Sequence, residues 1–320
     1  TSDGLVTNTL GTSNLRLGVN AGDSITSGGN YNTVVGDNAG TAITTGDENV
    51  ALGYNSLLSN TTGTLNTATG AFSLRYNTTG ANNTGLGYLA LGANTTGSNN
   101  TAVGKNALDA NTTGVSNVAV GLQSLDANTT GGANVAVGTS ALGSNTTASN
   151  NVAVGHDALT ANTTGNENTA VGYESLKSST TAIRNSAFGN IALATNTTGS
   201  ENTAVGYASM TNNTTGTENT AIGRSSLQNN TTGDYNVAVG RNALIQNTTA
   251  DANTAVGYYA LEVNTTGGEN TAIGYNTLND NTTGNNNTAI GYNALWKNTT
   301  GATNTAVGTG SSTACTTGIN

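Results

Sequence analysis

Residues 202–216 read NTAVGYASMTNNTTG, and residues 219–233 read NTAIGRSSLQNNTTG. The second stretch begins 17 residues after the first, and the same phrase recurs along nearly the whole chain. A glycine marks the period. It stands at Gly36, Gly53, Gly70, Gly87 and Gly104, then every 17 residues to Gly308 without a slip. Four residues before each of these glycines sits an asparagine, from Asn32 to Asn304. Upstream, Asn14 and Gly18 begin one further unit of 18 residues, and Asn8 to Gly11 look like the stump of another. A catalytic site is needed once, whereas a packed layer is needed many times. Repetition this regular points to architecture before chemistry.

The period selects the fold class. Common helical repeats run about 33–47 residues and leucine-rich repeats about 20–29, so 17 is too short for either. Gly, Asn and Thr are also poor helix formers. The length suits one coil of an all-β parallel β-solenoid, with two or three short strands joined by tight turns and coils stacked about 4.8 Å apart. The expected organisation is irregular solenoid coils over 1–31, regular coils over 32–310 and a tail over 311–320.

Composition supports this reading and removes others. The chain has 320 residues, 44 of them Gly and none Pro, and only 8% are charged. Disordered chains carry more charge and more Pro. Collagen needs Gly at every third position together with Pro. Aromatic residues make up 4%, too few for a large core. The net charge of −9, from 17 acids against 8 bases, is spread over isolated acids and reads as a diffuse solubility charge. No basic stripe invites nucleic acid, and no apolar run reaches the roughly 18 residues of a membrane span. Neither partner is expected. The chain begins at Thr1 without a recognisable signal peptide, as expected of a processed product or a piece of a longer protein. Cys315, the single cysteine, is read either as an intermolecular bridge or as a small residue in a repeat slot.

Numbering each coil from its marker glycine assigns a role to each slot. Slot −1 is Val, Ile or Leu almost throughout, and slot −3 alternates between Thr and Val. Side chains two apart share one face of a strand, and this face is expected to point inward. Slot +4, nearly always Leu, is expected to supply the opposing wall. The predicted core is therefore Val103, Leu108, Val154, Leu159, Val205 and Leu244. Slot −2 is Ala except at Val34 and Gly85. A constantly small outward residue suggests contact with a neighbouring subunit or coil. The alternative is an Ala that fills a tight corner. Asparagines at slots −4 and +7 are placed at chain reversals, where Asn tolerates left-handed angles. Stacked from coil to coil, amides can form ladders, and Asn49, Asn100, Asn151, Asn202, Asn253 and Asn304 are the predicted rungs. The glycine of Thr-Thr-Gly is expected at positive φ. Asn-Thr-Thr is also a glycosylation sequon, as at Asn60, Asn77 and Asn94, although turn geometry explains its regularity better.

Slot +1 varies. It accepts Tyr, Lys105, His156, Arg224 and Arg241, so it must reach solvent. Its tyrosines, Tyr54, Tyr88, Tyr173, Tyr207, Tyr258, Tyr275 and Tyr292, form a candidate contact column for flat sugar faces or for another protein. The bland alternative is ordinary edge decoration. His156 is the only histidine and occupies this outer slot. No Ser/His/Asp or Cys/His constellation can be assembled from the sequence, and a zinc site has too few ligands. No enzyme activity, cofactor or metal is expected. With only about two large aliphatic side chains per coil, a lone chain has little to bury, so more than one chain is expected.

The NTAVG and NVAVG cores, each followed by a short Ala-Leu segment, resemble the head repeats of trimeric autotransporter adhesins. Residues 20–46, NAGDSITSGGNYNTVVGDNAGTAITTG, resemble tail-fibre proteins of bacterial viruses. The resemblance implies a left-handed β-roll assembled as a trimer. It also implies a non-enzymatic fibre on a virion or bacterial surface, outside the cell, that acts as a spacer or binds a surface glycan or protein. Departures from the pattern are the period of 17, longer than the usual adhesin repeat, and the lack of a coiled-coil stalk or membrane anchor in this sequence. A second reading is a filament built by end-to-end stacking. A third is an ice- or glycan-binding solenoid that uses the threonines at slots +8 and +9. Adjacent threonines point opposite ways, so a flat two-column array is not expected there.

Overall fold

The computed structural model describes residues 10–313 and 316–317, so Asn8 and Cys315 lie outside the described residues. It is an all-β solenoid with 18 parallel strands, each of three residues, and no helix among the described residues. Each coil holds one strand, not the two or three expected. The chain divides into two compact units, 1–164 and 165–320. The first carries β1 (Leu15–Leu17) to β9 (Val152–Val154) and the second β10 (Thr169–Val171) to β18 (Thr305–Val307). Within each unit neighbouring strands pair in parallel, one repeat apart. Thr101, Ala102 and Val103 face Val118, Ala119 and Val120 in the first unit. Thr203, Ala204 and Val205 face Thr220, Ala221 and Ile222 in the second. The longer N-terminal repeat keeps this register, with Leu15 opposite Thr33.

The direction in which the strands face is the reverse of the sequence expectation. Slot −2 is the inward position: Ala102, Ala119, Ala136, Ala204 and Ala238 are 0% exposed. Val103, Val154 and Val205, predicted as core, point outward and are only half-buried. Leu108, Leu159 and Leu244 are fully buried. The reason is the width of the coil. A three-residue strand has one inward side chain, and the slot +4 leucine lies beneath it. At Gly85, even an added Cβ would sit 3.5 Å from Leu74 Cγ and would collide with Ser73 Oγ. Alanine therefore fills a tight corner.

The first two repeats fill the same space differently. Slot +4 holds Gly22 and Gly40, while slot +7 holds Ile25 and Ile43, both buried. A Cβ at Gly40 would lie 2.7 Å from both Val34 Cγ1 and Ile43 Cδ1. Val34 and Ile43 thus occupy the volume that the leucine takes in later coils. Arg16 stands in the alanine slot of the first repeat, where its guanidinium bonds the Ala21 carbonyl and pairs with Asp23.

The turns are built from left-handed residues that are mostly not glycine. In the coil after Gly53, Asn55, Leu57 and Leu65 have φ of 54°, 51° and 58°. The same three slots recur as left-handed positions along both units. A left-handed residue with a Cβ costs about 1–2 kcal/mol. Hydrogen bonds between coils offset this: Asn55 N–H donates to Asp37 O, Leu57 N–H to Ser73 O and Leu65 N–H to Asp47 O, each at 3.0 Å. The glycine of Thr-Thr-Gly is not among the positive-φ residues. A Cβ on Gly63 would stand 2.4 Å from the Gly80 carbonyl oxygen and as close to Asn60 Oδ1, yet Ala148, Ala182 and Ala250 occupy the same slot in other repeats, so a methyl can be accommodated where the neighbours shift. Positive φ belongs instead to the marker glycines, such as Gly121 at 136°. A Cβ on Gly121 would stand 2.5 Å from the Gly138 carbonyl oxygen.

Two asparagine ladders run through the interior. At slot −4, Asn66 Nδ2 and its backbone N–H both donate to Asn49 Oδ1, each at 3.1 Å. At slot +7, Asn77 Nδ2 donates to Asn60 Oδ1 at 2.8 Å. The two ladders meet: Asn66 and Asn77 both donate to the Gly80 carbonyl, each at 2.9 Å. This joins the start of the strand to the far turn across the coil. The same pair of bonds holds in the second unit, where Asn219 and Asn230 converge on Gly233 O at 2.8 and 2.9 Å. Asn49, Asn100, Asn151, Asn202 and Asn253 are 0% exposed, and Asn304 is buried as well. These asparagines are not at positive φ; they are core residues. The sequon residues Asn60, Asn77 and Asn94 are equally buried, so the folded coil leaves no room for a glycan on their amides.

Three substitutions separate these demands. Gly121→Ala is expected to destabilise its unit by at least about 2 kcal/mol, since it adds a clash to a disallowed backbone angle. Gly131→Ala needs no change of backbone angle and falls at a slot that holds Ala in three other repeats, but its Cβ would meet the Ala148 carbonyl oxygen at 2.2 Å; it is expected to cost less than Gly121→Ala, about 1–2 kcal/mol. Asn128→Ala removes the partner of Asn111, Asn145 and Gly131, and leaving buried amides unpaired is expected to cost about 2–3 kcal/mol. Urea denaturation followed by circular dichroism, with hydrogen exchange to localise the loss, measures all three.

Candidate functional site: the outer columns

The buried slots vary only among small or similar side chains, such as Ala, Ser and Thr at slot +3, so the large, charged and aromatic differences between coils are displayed mostly outward, in columns one repeat apart. Slot +1 leaves the marker glycine at the corner of the coil. Tyr54, Tyr88, Tyr173, Tyr207, Tyr275 and Tyr292 are exposed there, and Tyr258 is half-buried. The structure groups some of them. In the first unit, Phe72 stands between Tyr54 and Tyr88, edge-on to both, at centroid distances of 5.4 and 5.8 Å. Phe72 is in slot +2 and was missed by slot-by-slot reading, because slot +1 of its repeat is Ala71. Its neighbour Arg75 lies over the rings of Phe72 and Tyr76, 5.1 and 4.8 Å from their centroids.

In the second unit the column is closer packed. Tyr258, Tyr275 and Tyr292 stack face to face at 5.5 and 5.2 Å, with their planes within 5° and 9° of parallel. Arg241 lies over Tyr258 at 5.5 Å, and Arg224 over Tyr207 at 5.7 Å. Tyr259 meets Tyr258 edge-on at 4.0 Å, and its hydrogen bond with the Tyr258 phenol pushes its own phenol pKa up. The rings cover one another's faces, and they present edges and hydroxyls to solvent. Flat sugar faces, another protein and plain edge decoration were the readings left open by the sequence; in this stack the ring faces are turned towards each other.

Other columns carry charge. At slot +12, Arg184 bridges Glu167 and Glu201 at 3.2 and 2.9 Å, and these bonds hold the guanidinium more firmly in its charged form. The signal was available in the sequence as opposite charges spaced one repeat apart. At slot +11, side-chain oxygens accept otherwise unmatched backbone N–H groups of the preceding coil: Asp234 from Thr217 at 2.6 Å, Ser98 from Ala81 at 3.1 Å. At slot +5, Asp109 and Asp126 are stacked one repeat apart and half-buried. Asp126 borders a shallow groove lined also by Gln123, Ser140, Ser144 and Thr160. Burial pushes both carboxyls up, and for Asp109 the charge of Asp126 adds to it.

The threonine array divides as adjacent strand-like residues must. The slot +8 hydroxyls are committed, as Thr61 to Thr78 O at 3.1 Å and Thr214 to Thr231 O at 2.8 Å. Only the slot +9 threonines, such as Thr62, Thr79 and Thr96, are exposed. His156 is exposed beside Asp157, 3.3 Å away. Among the described residues no group of three or more His, Cys, Asp or Glu is placed to hold a metal ion, and no helix is long and apolar enough to cross a membrane.

The raised aspartates give a signed pH dependence. A carboxyl whose folded pKa lies above its unfolded value favours the native state most when protonated, and that contribution is lost as the pH rises through the folded value. Asp126→Asn is therefore expected to stabilise the first unit at pH 7. The gain should shrink as the pH falls towards 3.8, the ordinary aspartate value. Thermal melts of both proteins across that range read it out.

No protein-family model matches the chain, and a search of curated proteins finds none significantly similar to it.

Proposed function

We propose that the chain is a non-enzymatic structural fibre, exposed on a virion or bacterial surface, in which several copies pack side by side as a spacer that carries adhesion. One observation carries this reading: the outward slot −1 column of the strands is apolar except at Thr69, while the slot −3 column beside it mixes Val with Thr. In the first unit, β7 (Val118–Val120), β8 (Val135–Val137) and β9 (Val152–Val154) turn six valines outward, flanking buried alanines. In the second unit Ile222, Ile273 and Ile290 are exposed in the same column. Single soluble chains rarely show contiguous apolar strips. The two columns of this face are about 6.6 Å apart and repeat about every 4.8 Å. A partner that meshes with such a face must share its pitch, and a second copy of the chain does. The self-association inferred from the sequence thus moves from the alanine face to the valine face. Left-handed winding and a three-chain assembly are what the resemblance to adhesin heads implies, and they are part of the proposal.

Analytical ultracentrifugation with electron microscopy over a concentration series tests it. The expected result is a closed assembly of a few chains with uniform length. Val137→Lys, which places a charge on the outward face, is expected to shift it to monomer with the circular dichroism spectrum unchanged. A wild-type monomer at every concentration, or filaments that lengthen with concentration, would overturn the reading. The second result would favour end-to-end stacking.

A further inference from the structure

We infer that the slot +1 column of the second unit, from Arg224 to Tyr292, is a binding strip for an extended acidic polysaccharide laid along the stacking direction. The inference rests on the adhesive part of the proposed function and names its ligand class. Three features support it. First, Arg224, Arg241, Tyr258, Tyr275 and Tyr292 occupy five successive repeats. The centroid separations of adjacent rings along it, 5.5 and 5.2 Å, are comparable with the rise of one pyranose unit in an extended chain. Each sugar can then meet one coil. Second, the strip is cationic on an acidic protein. The chain has only 8 bases against 17 acids, yet two arginines are consecutive here. Among the described residues neither is ion-paired with a carboxylate in the ion pairs found, which involve Arg16, His156, Lys177 and Arg184. Each guanidinium is braced by a tyrosine ring, which orders it while leaving its N–H donors to solvent. Uronate carboxylates match that donor geometry.

Third, the geometry discriminates between polymers. Single-stranded nucleic acid is held by stacking bases on open aromatic faces. Here the faces of Tyr258, Tyr275 and Tyr292 are turned towards each other. What remains for a ligand is a comb of ring edges and phenol hydroxyls, which hydrogen-bond the hydroxyls of a sugar chain. The apolar slot −1 column lies two residues away along each coil and faces outward from the strand, so side-by-side packing of strands and binding at this strip use different residues.

The test is affinity electrophoresis and titration calorimetry of the full chain with polygalacturonate and with alginate. Neutral cello-oligosaccharides and oligo-dT serve as controls. The expected result is retardation by the uronans that weakens with salt, with little by the neutral glycan or by oligo-dT. Arg224→Gln with Arg241→Gln is expected to weaken binding at least about tenfold, from the loss of charged hydrogen bonds. Tyr54→Leu, in the other unit, should leave binding unchanged. Thermal melts of each variant confirm that the fold is retained. No retardation by either uronan, retardation that survives the double arginine change, or preference for oligo-dT would overturn the inference. Sedimentation of the same samples keeps the readings apart, since a chain that binds uronans as a monomer fails as a packed fibre but not as a glycan binder.

Discussion

Everything in this protein depends on a carbonyl oxygen that two buried amides share. In most coils the carbonyl of the Gly or Ala that follows the Thr-Thr pair accepts one N–H from the asparagine before the strand and one from the asparagine three residues back, as at Gly80, Ala148 and Gly233. The remaining amide oxygens accept from the next coil. Coil closure and coil stacking are therefore one network. A buried polar group is tolerable only when satisfied, and a fully satisfied network specifies a unique arrangement. That is how so narrow a coil holds together with one leucine and two small residues at its centre. Ser179 shows the exception. It replaces asparagine in the turn ladder, and its hydroxyl has no partner in the structure.

The same network explains the composition. Backbone N–H groups on every side of the coil donate along the stacking direction, and proline has no such donor and a fixed φ. The chain has none. The marker glycine is held by its neighbour's backbone as much as by its own angles, because each one lies against the next. Leucine at φ near 50° is the least expected feature. A branched apolar residue has no preference for that region. Here the interior needs its side chain, and inter-coil hydrogen bonds fix its backbone.

The period, the all-β class, the ladders and the buried leucines were legible because each follows from repetition of a single residue type. The inside of the strand was not. Alternation says which side chains share a face but not which face is buried, and hydrophobicity alone chose the valines. The constant alanine was the better signal, since only a narrow interior demands a methyl at the same point in repeat after repeat. Left-handed leucines could not be read at all, because the surrounding structure imposes them. In the outer columns the tyrosine slot was visible in the sequence. The face-to-face stack of Tyr258, Tyr275 and Tyr292 and the insertion of Phe72 from a neighbouring slot depend on ring orientation, which spacing does not reveal.

The hydrogen bonds between coils run lengthwise, and this sets how a unit answers mechanical load. Tension applied between the two ends of a unit pulls those bonds along their own direction, so coils peel away singly instead of shearing together. Each coil that opens pays out 17 residues, roughly 56–61 Å of extended chain at about 3.3–3.6 Å per residue. A unit under strain would behave as a reel, giving up length in even steps and rewinding each loop onto the layer left below it.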